Sequence, residues 1–171
     1  SQNMKKMAQV AGMPGNEYND VWGYVAPDGK EYAIIGSTMA VNIFDVTNCS
    51  APILKYQFVD GLTSSNYWRD FKTYGSYAYG VADTGAEGLE VFNLTNINSI
   101  SVTQITSHFN RAHNIYVDVP NARLYVAGAR DNTGTNNWMI IYSLANPGTP
   151  TLLKKVSLNT LPGMSGFENL Y

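Results

Sequence analysis

Acidic, amide and imidazole side chains recur where three strand-like segments of the sequence begin. The pairs are Asn19-Asp20, Arg69-Asp70 and His113-Asn114. Carboxylate and amide oxygens are ligands for calcium or magnesium, and an imidazole is a ligand that transition metals accept. If the three segments converge, Asp20, Asp70 and His113 form a candidate metal site, and Asn114 adds a carbonyl oxygen. A metal ion held there would be structural or would activate water for hydrolysis.

The same residues also have a structural interpretation that involves no ligand. Buried polar groups need partners, so Arg69 is expected to pair with a carboxylate while the other side chains hydrogen-bond to one another or to water. We favour this network over a bound ion or small ligand, and both over catalysis. The cofactor is unknown, and a divalent cation such as calcium is the candidate if an ion binds.

Aromatic side chains accompany this polar cluster. Alternation along a strand places Trp22 on the same face as Asp20, and Lys72 on the same face as Asp70. These side chains would either line a pocket for a sugar or peptide, or fill the space between strands. The candidate binding residues are Asp20, Trp22, Arg69, Asp70, His113 and Asn114.

A threefold repeat determines where these residues lie in the fold. Each unit contains four short segments rich in Tyr, Val, Ile and Phe, separated by turns of Gly, Pro, Asn and Asp, which is typical of β-strands. The third segments align on the aromatic residues Phe44, Phe92 and Tyr142. Repeats of about 40 to 50 residues with four strands indicate the blades of a β-propeller, whose first strands line a central channel.

The predicted fold is therefore all-β, a β-propeller with about three four-stranded blades. Propellers have typically about 4 to 8 blades, so we expect these three to belong to a larger or assembled ring. A two-sheet sandwich is the alternative. The predicted parts are an N-terminal arm at 1–18, blades at 19–66, 67–110 and 111–160, and a tail at 161–171.

The two ends of the chain have less regular patterns. Met4, Met7 and Val10 are spaced by three, which predicts an arm or a short helix. The residues 166–171 are either the first strand of a further blade or the remnant of an engineered protease site.

Composition excludes several classes of protein. Charged residues make up 14% of the chain and the formal net charge is −2, without the basic run that a nucleic-acid backbone would require. The longest apolar runs are far shorter than the roughly 20 residues of a membrane-spanning helix. The single cysteine, Cys49, excludes an internal disulfide framework and a zinc site built from several thiolates.

Several segments resemble the choice-of-anchor B family of LVIVD-repeat proteins. They are Asn19–Tyr24, Pro27–Gly36, Ile43–Thr47, Trp68–Gly75 and Ala112–Asp118, in an order that covers essentially the whole chain. The resemblance implies an exported bacterial β-propeller protein that is located at the cell surface or outside the cell. It implies no particular activity.

We therefore expect a non-enzymatic surface module that binds a protein or a glycan. One alternative is a metal-dependent hydrolase with its site at the mouth of the channel. Another is a structural subunit that self-associates through open blade edges, because unpaired strands and exposed faces are adhesive unless they are covered.

Overall fold

The computed structural model describes residues 3–15, 17–59, 68–131 and 138–157. These residues contain β-strands and no helix, arranged as three antiparallel sheets of four strands each. The all-β prediction is confirmed, and each predicted unit contributes one sheet. The predicted tail at 161–171 lies outside the described residues.

Each sheet is a meander in which consecutive strands pair. Sheet 1 comprises β1 (Tyr18–Val25), β2 (Glu31–Ser37), β3 (Ala40–Asp45) and β4 (Ile53–Val59). Sheet 2 comprises β5 (Arg69–Tyr74), β6 (Tyr77–Ala82), β7 (Leu89–Asn93) and β8 (Ser101–Ile105). Sheet 3 comprises β9 (Asn114–Asp118), β10 (Arg123–Ala129), β11 (Trp138–Ser143) and β12 (Thr151–Ser157).

A short polar side chain ends the third strand of every sheet. The backbone N–H of Thr47 donates to Asp45 Oδ1 at 3.0 Å, and that of Thr95 donates to Asn93 Oδ1 at 3.0 Å. In sheet 3 the N–H of Ala145 donates to Ser143 Oγ at 3.2 Å. A side-chain acceptor two residues back mimics a backbone turn, which explains why this part of the repeat keeps its polar residues.

The sheets pack face to face in chain order. Apolar side chains of sheet 1, including Ile34 and Ile43, are buried against Phe71 and Phe92 of sheet 2. The opposite face of sheet 2 is buried in the same way against sheet 3. Burial of apolar surface at these two interfaces is the main stabilising contribution to the fold.

The Phe71 ring shows how closely sheets 1 and 2 approach each other. A Cβ atom added at Gly36 would lie 3.0 Å from this ring, and one added at Gly80 would lie 2.9 Å from it. Only glycine leaves room at these two positions. The ring therefore fixes the start of β5, where Arg69 and Asp70 lie.

The described residues do not form a closed ring, so the propeller arrangement remains a prediction. Residues 4–10 are not helical, and of the two structures predicted there the arm is the one observed. No helix in the described part of the chain is long and apolar enough to cross a membrane.

Candidate functional site

Two aspartates at equivalent positions join consecutive sheets. Asp20 Oδ2 on β1 accepts a hydrogen bond of 2.8 Å from the backbone N–H of Phe71 on β5. Asp70 Oδ2 on β5 accepts one of 2.7 Å from the N–H of Ile115 on β9. Bonds between a carboxylate and a backbone N–H are stronger than neutral hydrogen bonds. The first strands of the three sheets are therefore tied together by one repeated contact.

The equivalent position in sheet 3 is occupied by Asn114, which is exposed. Its amide oxygen can accept the same kind of hydrogen bond without a charge. Asp20 and Asp70 therefore each hydrogen-bond to the first strand of the next sheet, sheet 2 for Asp20 and sheet 3 for Asp70.

Lys72 and Trp22 lie next to these carboxylates. The Lys72 ammonium donates a hydrogen bond to Asp70 Oδ1 and lies 4.4 Å from the centre of the Trp22 ring. Trp22 Nε1 donates to Thr73 Oγ1 at 3.1 Å. The indole therefore binds a cation and a hydroxyl group of the neighbouring strand, and these contacts belong to the structural network.

Asp20 has a raised pKa. Burial is the largest cause, because it disfavours the charged carboxylate, and the nearby charge of Asp70 raises the pKa further. The N–H of Phe71 and the ammonium of Lys72 oppose these effects. The folded state therefore holds the Asp20 proton more tightly than the unfolded state does.

The Asp20→Asn variant is expected to gain stability relative to the wild type as the pH rises from about 4 to 7. Because the native pKa of Asp20 is raised, its protonated form stabilises the fold below the unfolded pKa of 3.8, and this contribution is lost as the pH rises through the native pKa. Asparagine keeps an acceptor for Phe71 and has no charge to lose. Urea denaturation of both proteins at the two pH values measures the difference.

The matched control for this prediction is Asp28→Asn, which neutralises an exposed aspartate at a turn. Its stability at the same two pH values is the reference against which the change in Asp20→Asn is measured. An Asp20→Asn variant that is destabilised equally at both pH values would contradict the assignment.

Arg69 lies in a second, fully buried group. Its guanidinium lies 3.8 Å from Glu90 Oε2, and the two side chains are 0% and 1% exposed. Arg69 Nε also donates to the carbonyl oxygen of Ser37 at 3.0 Å, which links sheet 2 to sheet 1. The expectation that Arg69 pairs with a carboxylate is confirmed, and the partner is Glu90 on β7.

His113 makes a different contact. Its Nδ1 lies 2.9 Å from Asp83 Oδ2, in a partly buried pair with the residue that follows β6. Across the described ranges, no three His, Cys, Asp or Glu side chains are grouped so that they could hold a metal ion. The metal site at Asp20, Asp70 and His113 therefore remains a prediction that this geometry does not support.

Neither Glu90 nor Asp83 was among the candidate binding residues predicted from the sequence. Glu90 did carry a signal, because it is an acidic residue between the apolar residues Leu89 and Val91 of β7. Such a residue is rarely buried unless it is paired. Asp83 carried no comparable signal, because aspartate is common in turns.

Comparison with known proteins gives no assignment. No family model matches the chain. No curated protein matches it either.

Proposed function

We propose that the chain is a non-enzymatic binding or assembly module, formed by three blades of a β-propeller of the LVIVD-repeat, choice-of-anchor B type. The observation that supports this most directly is the hydrogen bond that recurs between the first strands of consecutive sheets. Asp20 and Asp70, the residues best suited to metal chemistry, each use a carboxylate oxygen to bind the next sheet. Residues with this role hold the fold together rather than act on a substrate.

The blade arrangement is supported by the way in which the first strands meet. β1 contacts β5, and β5 contacts β9, through the same side-chain position each time. In a propeller, consecutive sheets pack face to face and their first strands lie next to one another around the centre. The repeated hydrogen bond between first strands supports this arrangement. Export and location at the cell surface rest on the family resemblance alone.

Metal analysis distinguishes this proposal from a metal-dependent hydrolase. We expect elemental mass spectrometry of the purified protein to find no stoichiometric divalent ion. We also expect the thermal midpoint to be unchanged after dialysis against a chelator, because the carboxylates already have partners in the protein. A stoichiometric ion whose removal lowers the midpoint would favour the hydrolase.

The ligand class is tested by binding of labelled protein to arrays of glycans and of surface proteins. Trp22→Ala is the informative variant, because Trp22 is the candidate binding residue with an aromatic surface that is 36% exposed. Val119→Ala, which alters an exposed apolar residue just after β9, is the matched control. Loss of binding in the first variant alone, with both proteins folded, is the expected result.

A structural subunit is the second candidate, and the exposed apolar faces favour it. Val21 is 59% exposed and Val25 is 66% exposed on sheet 1, and Tyr116 is 64% exposed on sheet 3. Light scattering over a range of concentrations tests this candidate. Growth into higher oligomers supports it, and a monomer throughout contradicts it.

A further inference from the structure

A polar crevice of about 250 Å³ lies between sheets 2 and 3. Sheet 2 forms one wall with side chains of β7 and β8, and sheet 3 forms the other with the turn that joins β11 to β12. The polar residues that line it are Tyr77, Asn93, Ser101, Thr103, Asn146 and Thr149. None of the lining residues within the described part of the chain carries a charge. The crevice therefore suits a neutral ligand that is rich in hydrogen-bonding groups.

The turn of sheet 3 is held in place beside Tyr77. The hydroxyl group of Tyr79 on sheet 2 donates a hydrogen bond of 2.9 Å to the carbonyl oxygen of Pro147 in this turn. A Cβ atom added at Gly148 would lie 2.9 Å from the Tyr77 hydroxyl oxygen, so glycine is what permits the close approach of the turn. The two walls of the crevice are therefore fixed in position by contacts within the protein.

The interface between sheets 1 and 2 shows why this crevice is open. Tyr56 on β4 pairs with Ile43, and Thr103 on β8 pairs with Val91 at the equivalent position. Both pairs face the next sheet, because Ile43 and Val91 belong to the apolar clusters at these interfaces. Tyr56 packs against the cluster between sheets 1 and 2, whereas Thr103 is exposed. Thr103 therefore leaves space that an aromatic ring occupies in the preceding unit.

The two interfaces also differ in the tyrosine beside this space. Tyr32 and Tyr77 are equivalent, because each pairs with the polar residue that ends the third strand of its sheet. Tyr32 is 4% exposed, whereas Tyr77 is only half-buried. The crevice beside Tyr32 contains the charged side chains of Asp28 and Lys30. Of the two interfaces that the described residues form, the one between sheets 2 and 3 therefore combines an accessible tyrosine ring with uncharged polar groups.

Hydrogen-bond donors and acceptors surround the Tyr77 ring. Asn93 Oδ1 accepts hydrogen bonds from the backbone N–H and the hydroxyl group of Thr95, at 3.0 and 2.6 Å, so Asn93 offers its amide N–H groups to a ligand. The hydroxyl groups of Ser101 and Thr103 can each donate and accept. The face of the Tyr77 ring is partly negative and attracts the weakly positive C–H groups of a ligand. A pyranose ring matches both features, because it has hydroxyl groups at its edge and C–H groups on its faces.

We propose that this crevice binds one neutral pyranose ring of a glycan. The sugar ring packs on Tyr77, and its hydroxyl groups hydrogen-bond to Asn93, Ser101 and Thr103. The volume of about 250 Å³ is slightly below the roughly 300–1,000 Å³ of pockets for drug-sized ligands, which suits a single sugar unit. The inference rests on the proposed binding function, for which it names the ligand class and the site.

The test uses the full chain and the methyl glycosides of glucose, galactose, mannose and N-acetylglucosamine. At least one of them is expected to bind in saturation-transfer difference NMR, and NMR titration then measures its affinity. Thr103→Tyr is the informative variant, because it gives β8 the residue that Tyr56 provides on β4. This variant is expected to bind the sugar at least about tenfold more weakly, with a thermal midpoint within about 4 °C of the wild type.

Thr106→Tyr is the matched control, because it makes the same change at an exposed threonine just after β8. It should bind the sugar as the wild type does. Thr103→Val keeps the shape of the side chain and removes its hydroxyl group, so it should weaken binding about fivefold. This second variant gives the answer if Thr103→Tyr does not fold. Binding of none of the four glycosides, or undiminished binding by either folded variant of Thr103, would overturn the proposal.

Failure of this site is distinguishable from failure of the proposed function. A chain that binds surface proteins and no glycan keeps its function as a binding module and loses this site. The same holds for a chain whose glycan binding depends on Trp22 and is unaffected by Thr103→Tyr. A chain that binds neither glycans nor surface proteins contradicts the binding function itself.

Discussion

Replacement of Glu90 by alanine is expected to lower the free energy of unfolding by about 3–5 kcal/mol. The guanidinium of Arg69 is 0% exposed and lies 3.8 Å from the Glu90 carboxylate, so the variant keeps a buried positive charge and loses this negative neighbour. Arg69 also bonds the carbonyl oxygen of Ser37, and the disturbance should therefore reach the interface with sheet 1. Urea denaturation followed by tryptophan fluorescence measures the loss.

Two further variants separate the charge effect from a cavity effect. Glu31→Ala removes an exposed glutamate of sheet 1 and should change the unfolding free energy by no more than about 0.5 kcal/mol. The double variant Arg69→Met, Glu90→Leu removes both charges and should recover much of the loss, because apolar side chains of similar volume often replace a buried ion pair without cost. A double variant as unstable as Glu90→Ala would mean that packing, rather than the stranded charge, causes the effect.

The Asp70→Ala variant should lose on the order of 3 kcal/mol of stability. The Asp70 carboxylate accepts the buried N–H of Ile115 at 2.7 Å and pairs with the Lys72 ammonium. Alanine leaves that N–H without its acceptor at the joint between sheets 2 and 3. It also removes the carboxylate that holds Lys72 beside Trp22. Thermal and urea unfolding together measure the change.

Asp70→Asn distinguishes the two roles of this side chain. The amide oxygen of asparagine can still accept the hydrogen bond from the Ile115 N–H. Asp70→Asn should therefore lose clearly less stability than Asp70→Ala. Asp28→Ala removes a carboxylate that is 57% exposed and pairs with Lys30 at the surface, and it should be close to neutral. Near-wild-type stability of Asp70→Ala, combined with lost ligand binding, would instead identify Asp70 as a functional residue.

Much of the secondary structure was accessible from the sequence. Alternating apolar residues and turn-forming residues predict strands directly, because both signals depend on local backbone geometry. The polar residue at Asp45, Asn93 and Ser143 recurs because each turn uses it in the same way. For the same reason, the repeat predicted three units of four strands, and three four-stranded sheets are observed.

The site was accessible only in part. Alignment of the repeats brought Asp20 and Asp70 to equivalent positions, and the structure gives them equivalent contacts. Alignment could not show that each carboxylate binds a backbone N–H of the next sheet. Every residue except proline carries a backbone N–H, so the sequence does not identify the donor.

The sequence by itself determined the strands, the turns and the period of the repeat, because these depend on residues that are close along the chain. The tertiary structure decided which distant groups become partners. Arg69 meets Glu90 rather than Asp70, and His113 meets Asp83 rather than a metal-binding pair of aspartates. The physical reason is that such pairs depend on the relative position of packed strands and sheets, and a shift of a few ångströms exchanges one partner for another.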